Sequence, residues 1–94
     1  MSSTAAIAQP HYGKTVAKLE VANSECFFFM LTGVGEADPV VANSPWFAIS
    51  TTQANARELY ALLLTARTSG VALDRVVTSG QIVCGHAQVI LIDY

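Results

Sequence analysis

Few side chains in this 94-residue sequence have the types and spacing that catalysis requires. Cys84 and His86 place a thiol and an imidazole two positions apart in a strand-like segment. Side chains at that spacing lie side by side, about 6 to 7 Å apart, whereas a cysteine nucleophile needs its base within hydrogen-bond reach. We therefore interpret His86 as a half-exposed strand residue and predict that the chain is not an enzyme.

Two acidic residues, Glu36 and Asp38, lie in the glycine-rich stretch "GVGEAD". Paired carboxylates can serve acid–base chemistry or bind calcium, and a solvated loop is the simpler interpretation. The stretch lacks the lysine and the following helix of a phosphate-binding loop. The only histidines are His11 and His86, so the two cysteines lack the further ligands that a zinc site needs. The sequence therefore predicts no metal and no cofactor.

Aromatic residues are the remaining candidates for ligand contact. Trp46 is the single tryptophan and could be a platform for a sugar ring or a core or interface residue. His11 and Tyr12 precede the first predicted strand, either in a disordered tail or at the rim of a shallow site.

Two cysteines, Cys26 and Cys84, occur in separate strand-like segments. In an exported protein they could form one intrachain disulfide, a pairing that their strand positions allow. In a cytosolic protein they would be two buried thiols.

The composition is apolar for so short a chain: 52% of residues are hydrophobic and 13% are charged, against about 25% charged in an average globular protein. A small domain has a large surface for its volume, so much of this surface must be neutral or apolar, which favours a homo-oligomer. The five basic residues are scattered, which argues against nucleic-acid binding. No apolar run approaches the roughly 20 residues that cross a bilayer, so membrane insertion is not expected.

The elements that must position these residues follow from periodicity. Residues 16–21 alternate as a half-buried strand, residues 23–25 form a turn, and the segment from Cys26 to Gly33 returns as a strand that is apolar on both faces. A loop with a short strand at residues 40–42 leads to a strand at 45–50. Residues 71–80 form a strand that ends in a Ser79–Gly80 turn, and residues 81–94 form the last strand.

A helix is predicted from about residue 52 to residue 69. Ser50 and Gln53 match a capping box, and Gly70 stands where a left-handed C-cap residue belongs, after Arg67. One stripe of apolar residues faces the core, and two more residues widen it; the stripe is Leu59, Leu62, Leu63 and Ala66, and the flanking pair is Tyr60 and Leu64.

This order predicts an α+β domain in which short antiparallel strands form a roll or an open barrel with one helix packed on it. The domain is expected to span residues 14–94. Residues 1–13 are expected to be a flexible tail or a signal-peptide remnant, since Ala6-Ile7-Ala8 before Gln9 has the small-x-small form of a cleavage site.

Three stretches carry a family resemblance: "TVAKLEVANSECFFFMLTG", "PVVANSPWFAIS" and "ARELYALLLTARTSGVALDRVV". They combine a cysteine beside aromatics in a strand pair, an apolar strand that ends at Ser50, and a helix that leads into a valine-rich strand. The chain resembles the B subunits of secreted bacterial AB-type toxins related to pertussis, subtilase and typhoid toxins, over residues 14–92.

The resemblance implies an OB-like antiparallel barrel of about five strands with one helix. It also implies a secreted or periplasmic ring of five copies whose helices line a pore, and a catalytic A subunit as partner. The family recognises glycans, often sialic acid, in a shallow pocket before the first strand. The matching residues here are His11, Tyr12 and Lys14, without the serine of the family's pocket.

Two hypotheses follow for the function. The first is a non-catalytic, secreted, ring-forming module that binds cell-surface glycans. The alternative is an oligomeric structural or interaction protein of the same fold that has no sugar site and docks another protein chain through its helix.

Overall fold

The computed structural model describes residues 9–94, which form a mixed six-stranded sheet and one helix. In chain order the elements are β1 (Pro10–Lys14), β2 (Val16–Val21), β3 (Cys26–Leu31), β4 (Phe47–Ser50), α1 (Ala56–Ser69), β5 (Leu73–Val83) and β6 (His86–Asp93). The α+β class predicted from the sequence is confirmed.

The core lies between one face of the sheet and one side of α1. Its largest fully buried side chains include Phe29, Phe47, Ile49, Leu63, Leu73, Val76 and Val89. Of the predicted helix stripe, Leu59, Leu63 and Ala66 are buried and Leu62 is partly buried. Leu64 points away from the sheet and is 46% exposed, so the apolar surface of α1 is wider than the face that the core covers.

The strand order is β1-β5-β6-β4-β3-β2. All neighbours are antiparallel except β4 and β6, which run parallel with Phe47 opposite Ala87. The expectation of about five antiparallel strands is therefore confirmed only in part: the sheet has six strands, and one of its five strand pairs is parallel. Strands β4 and β6 run parallel because α1 and β5 lie between them in the chain. These two elements bring the chain back, so that β6 runs in the same direction as β4.

The sheet begins at Pro10, inside the segment that the sequence assigned to a tail. Pro10 pairs with Val77 and Tyr12 pairs with Arg75, so β1 is hydrogen-bonded to β5. Pro10 stands at the strand's first position, where the missing N–H interrupts no ladder. The rest of the predicted tail, including the small-x-small site at residues 6–8, lies outside the described residues.

The last hairpin turns later than the sequence predicts. Strand β5 continues through Ser79 and Gly80, and the turn lies at Cys84 and Gly85, both of which have positive φ (51° and 79°). A two-residue hairpin turn that matches strand twist needs positive φ at both central positions. Gly80, with φ 81°, instead lies where the pairing shifts register between Thr78 and Ile82, and its glycine backbone permits this bulge. The Ser79–Gly80 turn prediction is wrong.

Two other predicted boundaries change. Helix α1 begins at Ala56 rather than near residue 52, because residues 51–55 form turns. Residues 40–42 form turns and no strand. The C-cap prediction is confirmed: Gly70 has φ 74°, and its N–H donates to the carbonyl of Ala66 at 2.9 Å. Among the described residues, no helix is long and apolar enough to cross a membrane.

Cys26 and Cys84 form a disulfide, with their Cα atoms 6.6 Å apart. Cys26 lies at the start of β3 and Cys84 in the turn between β5 and β6. The bridge therefore fastens the tip of the β5–β6 hairpin to β3, a strand with which neither β5 nor β6 forms a ladder.

Candidate functional site

The residues predicted to contact a ligand lie on β1 but do not form one cluster. His11 is half-buried and turned inward, where its ring meets Phe47 edge-on at 5.3 Å between centroids. Its Nε2 lies 2.7 Å from the carbonyl oxygen of Ala37. Because a carbonyl can only accept, Nε2 is the donor. His11 thus holds the loop before β4 against β1.

Tyr12 points the opposite way and is 62% exposed. It lies opposite Arg75 on β5, and Arg75 lies opposite Asp93 on β6. Nε and Nη2 of Arg75 each lie 2.8 Å from Oδ2 of Asp93. We call Tyr12, Arg75 and Asp93 the Tyr12 surface. Lys14 follows at the end of β1, half-buried and opposite Leu73.

The two loop carboxylates have separate roles. Asp38 is buried, its Oδ1 accepts from the backbone N–H of Val40 at 2.9 Å, and its Oδ2 accepts from the Thr78 hydroxyl. Glu36 is exposed and accepts from the backbone N–H of Asn43 at 3.1 Å. The simpler interpretation of both as solvated loop residues is therefore wrong for Asp38, which fastens the loop to β5.

A second group of aromatic and basic side chains lies on the face of the sheet opposite the core. The indole of Trp46 is 6.3 Å from the ring of His86, and the ring of Phe28 is 5.3 Å from His86. Nζ of Lys18 lies 5.7 Å from the centre of the Trp46 ring. We call Lys18, Phe28, Trp46 and His86 the Trp46 cluster.

Strand alternation explains why the Trp46 cluster faces outward. Phe29 and Phe47 are fully buried and stack at 4.8 Å in the core. Their neighbours Phe28 and Trp46 must therefore point to the other face, since successive side chains on a strand alternate. The sequence singled out Trp46 but missed Lys18 and Phe28, because their approach depends on the pairing of four separate segments.

Cysteine chemistry is absent from the described residues, because both sulfur atoms are in the disulfide. The distance argument against a Cys84–His86 pair assumed one continuous strand, whereas Cys84 lies in the turn before β6. Within residues 9–94, no three histidine, cysteine, aspartate or glutamate side chains are close enough to hold a metal ion.

Comparison with models of known protein families gave no match, and no curated protein matches the chain. The functional argument therefore rests on the chain's own geometry and on the resemblance described above.

Proposed function

We propose that this chain is a non-catalytic, secreted, ring-forming module that binds cell-surface glycans, as in the B subunits of AB-type toxins. The observation that carries the proposal is the Tyr12 surface. An aromatic ring that is 62% exposed lies beside a guanidinium and a carboxylate that bond each other. Sugar recognition uses this combination: the ring packs on C–H groups, while Arg75 donates to hydroxyls and Asp93 accepts from them.

The topology supports an OB-like barrel of five strands. Strands β1 and β2 are separated by Thr15 alone, and they stand at the two ends of the strand order. If Pro10–Lys14 and Val16–Val21 are counted as one bent strand, the order returns to its starting strand, as in a barrel. The helix between β4 and β5 fits an OB-like fold.

The outward face of α1 supports assembly into a ring. Three of its eight exposed residues are charged, namely Arg57, Glu58 and Arg67, and the other five are uncharged, among them Ala61, Leu64, Thr65 and Thr68. Three of these, with Ser69, line a shallow open depression. Copies of the chain that pack through this face would cover Leu64, and repeated weak sugar sites on one ring would gain avidity.

Export is supported by the disulfide, because such bonds persist in oxidising compartments. The partners proposed are copies of this chain, glycans, and a catalytic A subunit seated on the ring. His11 is assigned a structural role in this proposal, whereas Tyr12 and Lys14 remain candidate contacts.

A glycan array probed with the purified oligomer tests the sugar site. We expect binding by the wild type and by Val21→Ala, a control residue of similar exposure at 60%. We expect loss of binding by Tyr12→Ala, because the packing surface for the sugar is removed. A blank array for the wild type, or full binding by Tyr12→Ala, would contradict the proposal.

The alternative function is docking of another protein chain through the uncharged helix face, without a sugar site. The same helix face also favours this alternative. A charged substitution on that face distinguishes it from ring formation. Leu64→Glu should dissociate a ring in sedimentation velocity, whereas Ile90→Glu, at 44% exposure, should leave it intact. A wild type that gives a blank glycan array and co-purifies with a larger protein would favour the alternative.

A further inference from the structure

The Trp46 cluster presents hydrogen-bond donors that the protein does not use. In residues 9–94, Nδ1 of His86 is a buried side-chain nitrogen without a hydrogen-bond partner. A buried N–H without an acceptor is costly, so the neutral ring carries its proton on Nε2. Nε2 is not enclosed in this way, and neither is the indole N–H of Trp46. We therefore expect Nε2 of His86 to be the ring nitrogen that donates to a ligand.

Charges of both signs border the Trp46 cluster. Lys18 and Glu20 are exposed and two positions apart on β2, so they share the outward face. Within the described part of the chain, the ion pair present is Arg75–Asp93, and neither Lys18 nor Glu20 takes part in one. The Trp46 cluster is thus bordered by one cationic donor at the indole and one anionic acceptor opposite Phe28, with no net charge to favour an ionic ligand.

The side chain of Lys18 lies over one face of the indole. Nζ of Lys18 lies 5.7 Å from the ring centre, inside the range of a cation–π attraction. Because Lys18 is exposed, its side chain can move aside and then donate to a ligand that packs on the ring.

We propose that the Trp46 cluster is a second ligand site, which binds one neutral pyranose ring. The apolar C–H face of the sugar packs on the indole, its hydroxyl oxygens accept from Lys18 Nζ and His86 Nε2, and a hydroxyl donates to Glu20. The inference rests on the proposed function for its ligand class, sugars. It adds a site on a different strand set from the Tyr12 surface and a preference for uncharged rings.

Intrinsic fluorescence tests this directly, because Trp46 is the single tryptophan of the chain. The probes are the methyl glycosides of glucose, galactose and N-acetylglucosamine, with glucuronic acid and glucosamine as charged counterparts at constant ionic strength. We expect a saturable change in Trp46 emission with at least one neutral sugar, at a dissociation constant on the order of 1 mM for so small a ligand. Its charged counterparts should bind more weakly.

Two variants keep the reporter and remove one contact each. Lys18→Met and His86→Phe should weaken the fluorescence-detected affinity about three- to tenfold, since each deletes one donor. Arg57→Met, which removes an exposed cation on α1, is the control and should bind like the wild type. Because Lys18 is exposed, we expect Lys18→Met to fold even if His86→Phe fails to fold. In ligand-observed NMR, Trp46→Phe should show less magnetisation transfer from the protein to the sugar than the wild type shows.

The outcomes separate the two sites. A saturable response that persists in Tyr12→Ala and weakens in Lys18→Met supports the second site, even if the glycan array is blank. No saturable response with any neutral sugar, or equal affinity in wild type and Lys18→Met, overturns it. In that case, array binding that is lost in Tyr12→Ala would leave the proposed function standing.

Discussion

At the scale of single residues, the buried carboxyl group of Asp38 explains how the loop before β4 is held. Asp38 is 2% exposed and Thr78 is fully buried, and the hydroxyl of Thr78 donates to Asp38 Oδ2. The Thr78 hydroxyl also accepts from the backbone N–H of Gln9 at 3.2 Å. One side chain on β5 therefore fixes both the loop and the beginning of β1, the strand that carries Tyr12.

Thr78→Val should destabilise the protein by about 2 to 3 kcal/mol, because it leaves a buried carboxyl oxygen without its donor. Valine has nearly the same shape, so the loss measures the hydrogen bonds and not a cavity. Urea denaturation followed by far-UV circular dichroism gives the free energy of unfolding. Thr65→Val is the matched control: Thr65 is exposed on α1, and its replacement should change stability by less than about 0.5 kcal/mol. Equal stabilities for the two variants would contradict this role.

Residue roles were the least predictable part of the sequence. Asp38 and Thr78 are 40 positions apart, so no local pattern connects them. The outward side of Tyr12 and the inward side of His11 depend on the register of β1 against β5, which periodicity does not supply for so short a strand. The disulfide was accessible from the sequence as one of two alternatives, because two cysteines permit one intrachain bridge.

At the scale of elements, two amide side chains fasten the start of α1 to β6: Gln53, and Asn55, whose Nδ2 donates to the carbonyl of Ile90 at 3.1 Å. Gln53 accepts from the backbone N–H of Ser50 at 3.2 Å, which is the reciprocal half of the predicted capping box. Its Nε2 also donates to the carbonyl of Val89 on β6 at 3.0 Å. The other half of the box differs, because the Ser50 hydroxyl accepts from the N–H of Thr52 rather than from that of Gln53.

Gln53→Ala should cost about 2 kcal/mol of folding free energy, because several partly buried groups lose their partners together. The matched control is Gln81→Ala on β5. Gln81 is exposed and its hydrogen bond uses its backbone N–H, so its truncation should be nearly neutral. Thermal denaturation of both variants beside the wild type provides the measurement. A larger loss of stability for Gln81→Ala than for Gln53→Ala would show that the hydrogen bonds of Gln53 do not hold the start of α1.

Elements with strong local signals were predicted well, and those set by tertiary pairing were not. The helix end at Gly70 and the hairpin of β2 and β3 follow from local residue types. Strand β1 forms because β5 offers an unpaired edge. Strand β5 extends past Ser79 and Gly80 because the disulfide-linked tip of its hairpin with β6 lies later in the chain, at Cys84. Both features depend on partners distant in sequence.

At the scale of the whole molecule, the low charge content has two consequences in one chain. The sheet keeps a dry core on one face while its other face carries the aromatic Trp46 cluster. The helix likewise buries one side and leaves Leu64 outward. In the function proposed here, these neutral outer surfaces provide a self-contact through α1 and sugar contacts on the sheet.

Reduction of the disulfide should destabilise the whole domain by about 4 kcal/mol. Cys26 and Cys84 are separated by 58 positions, and the loop-closure relation for a chain of that length gives this value at 25 °C. Urea titrations of the wild type with and without reductant would show the loss as a lower midpoint. The double variant Cys26→Ala, Cys84→Ala should unfold near the midpoint of the reduced wild type and should not respond to reductant. A midpoint that is the same in oxidised and reduced wild type would mean that the hairpin tip is held by Phe28 and His86 without the bridge.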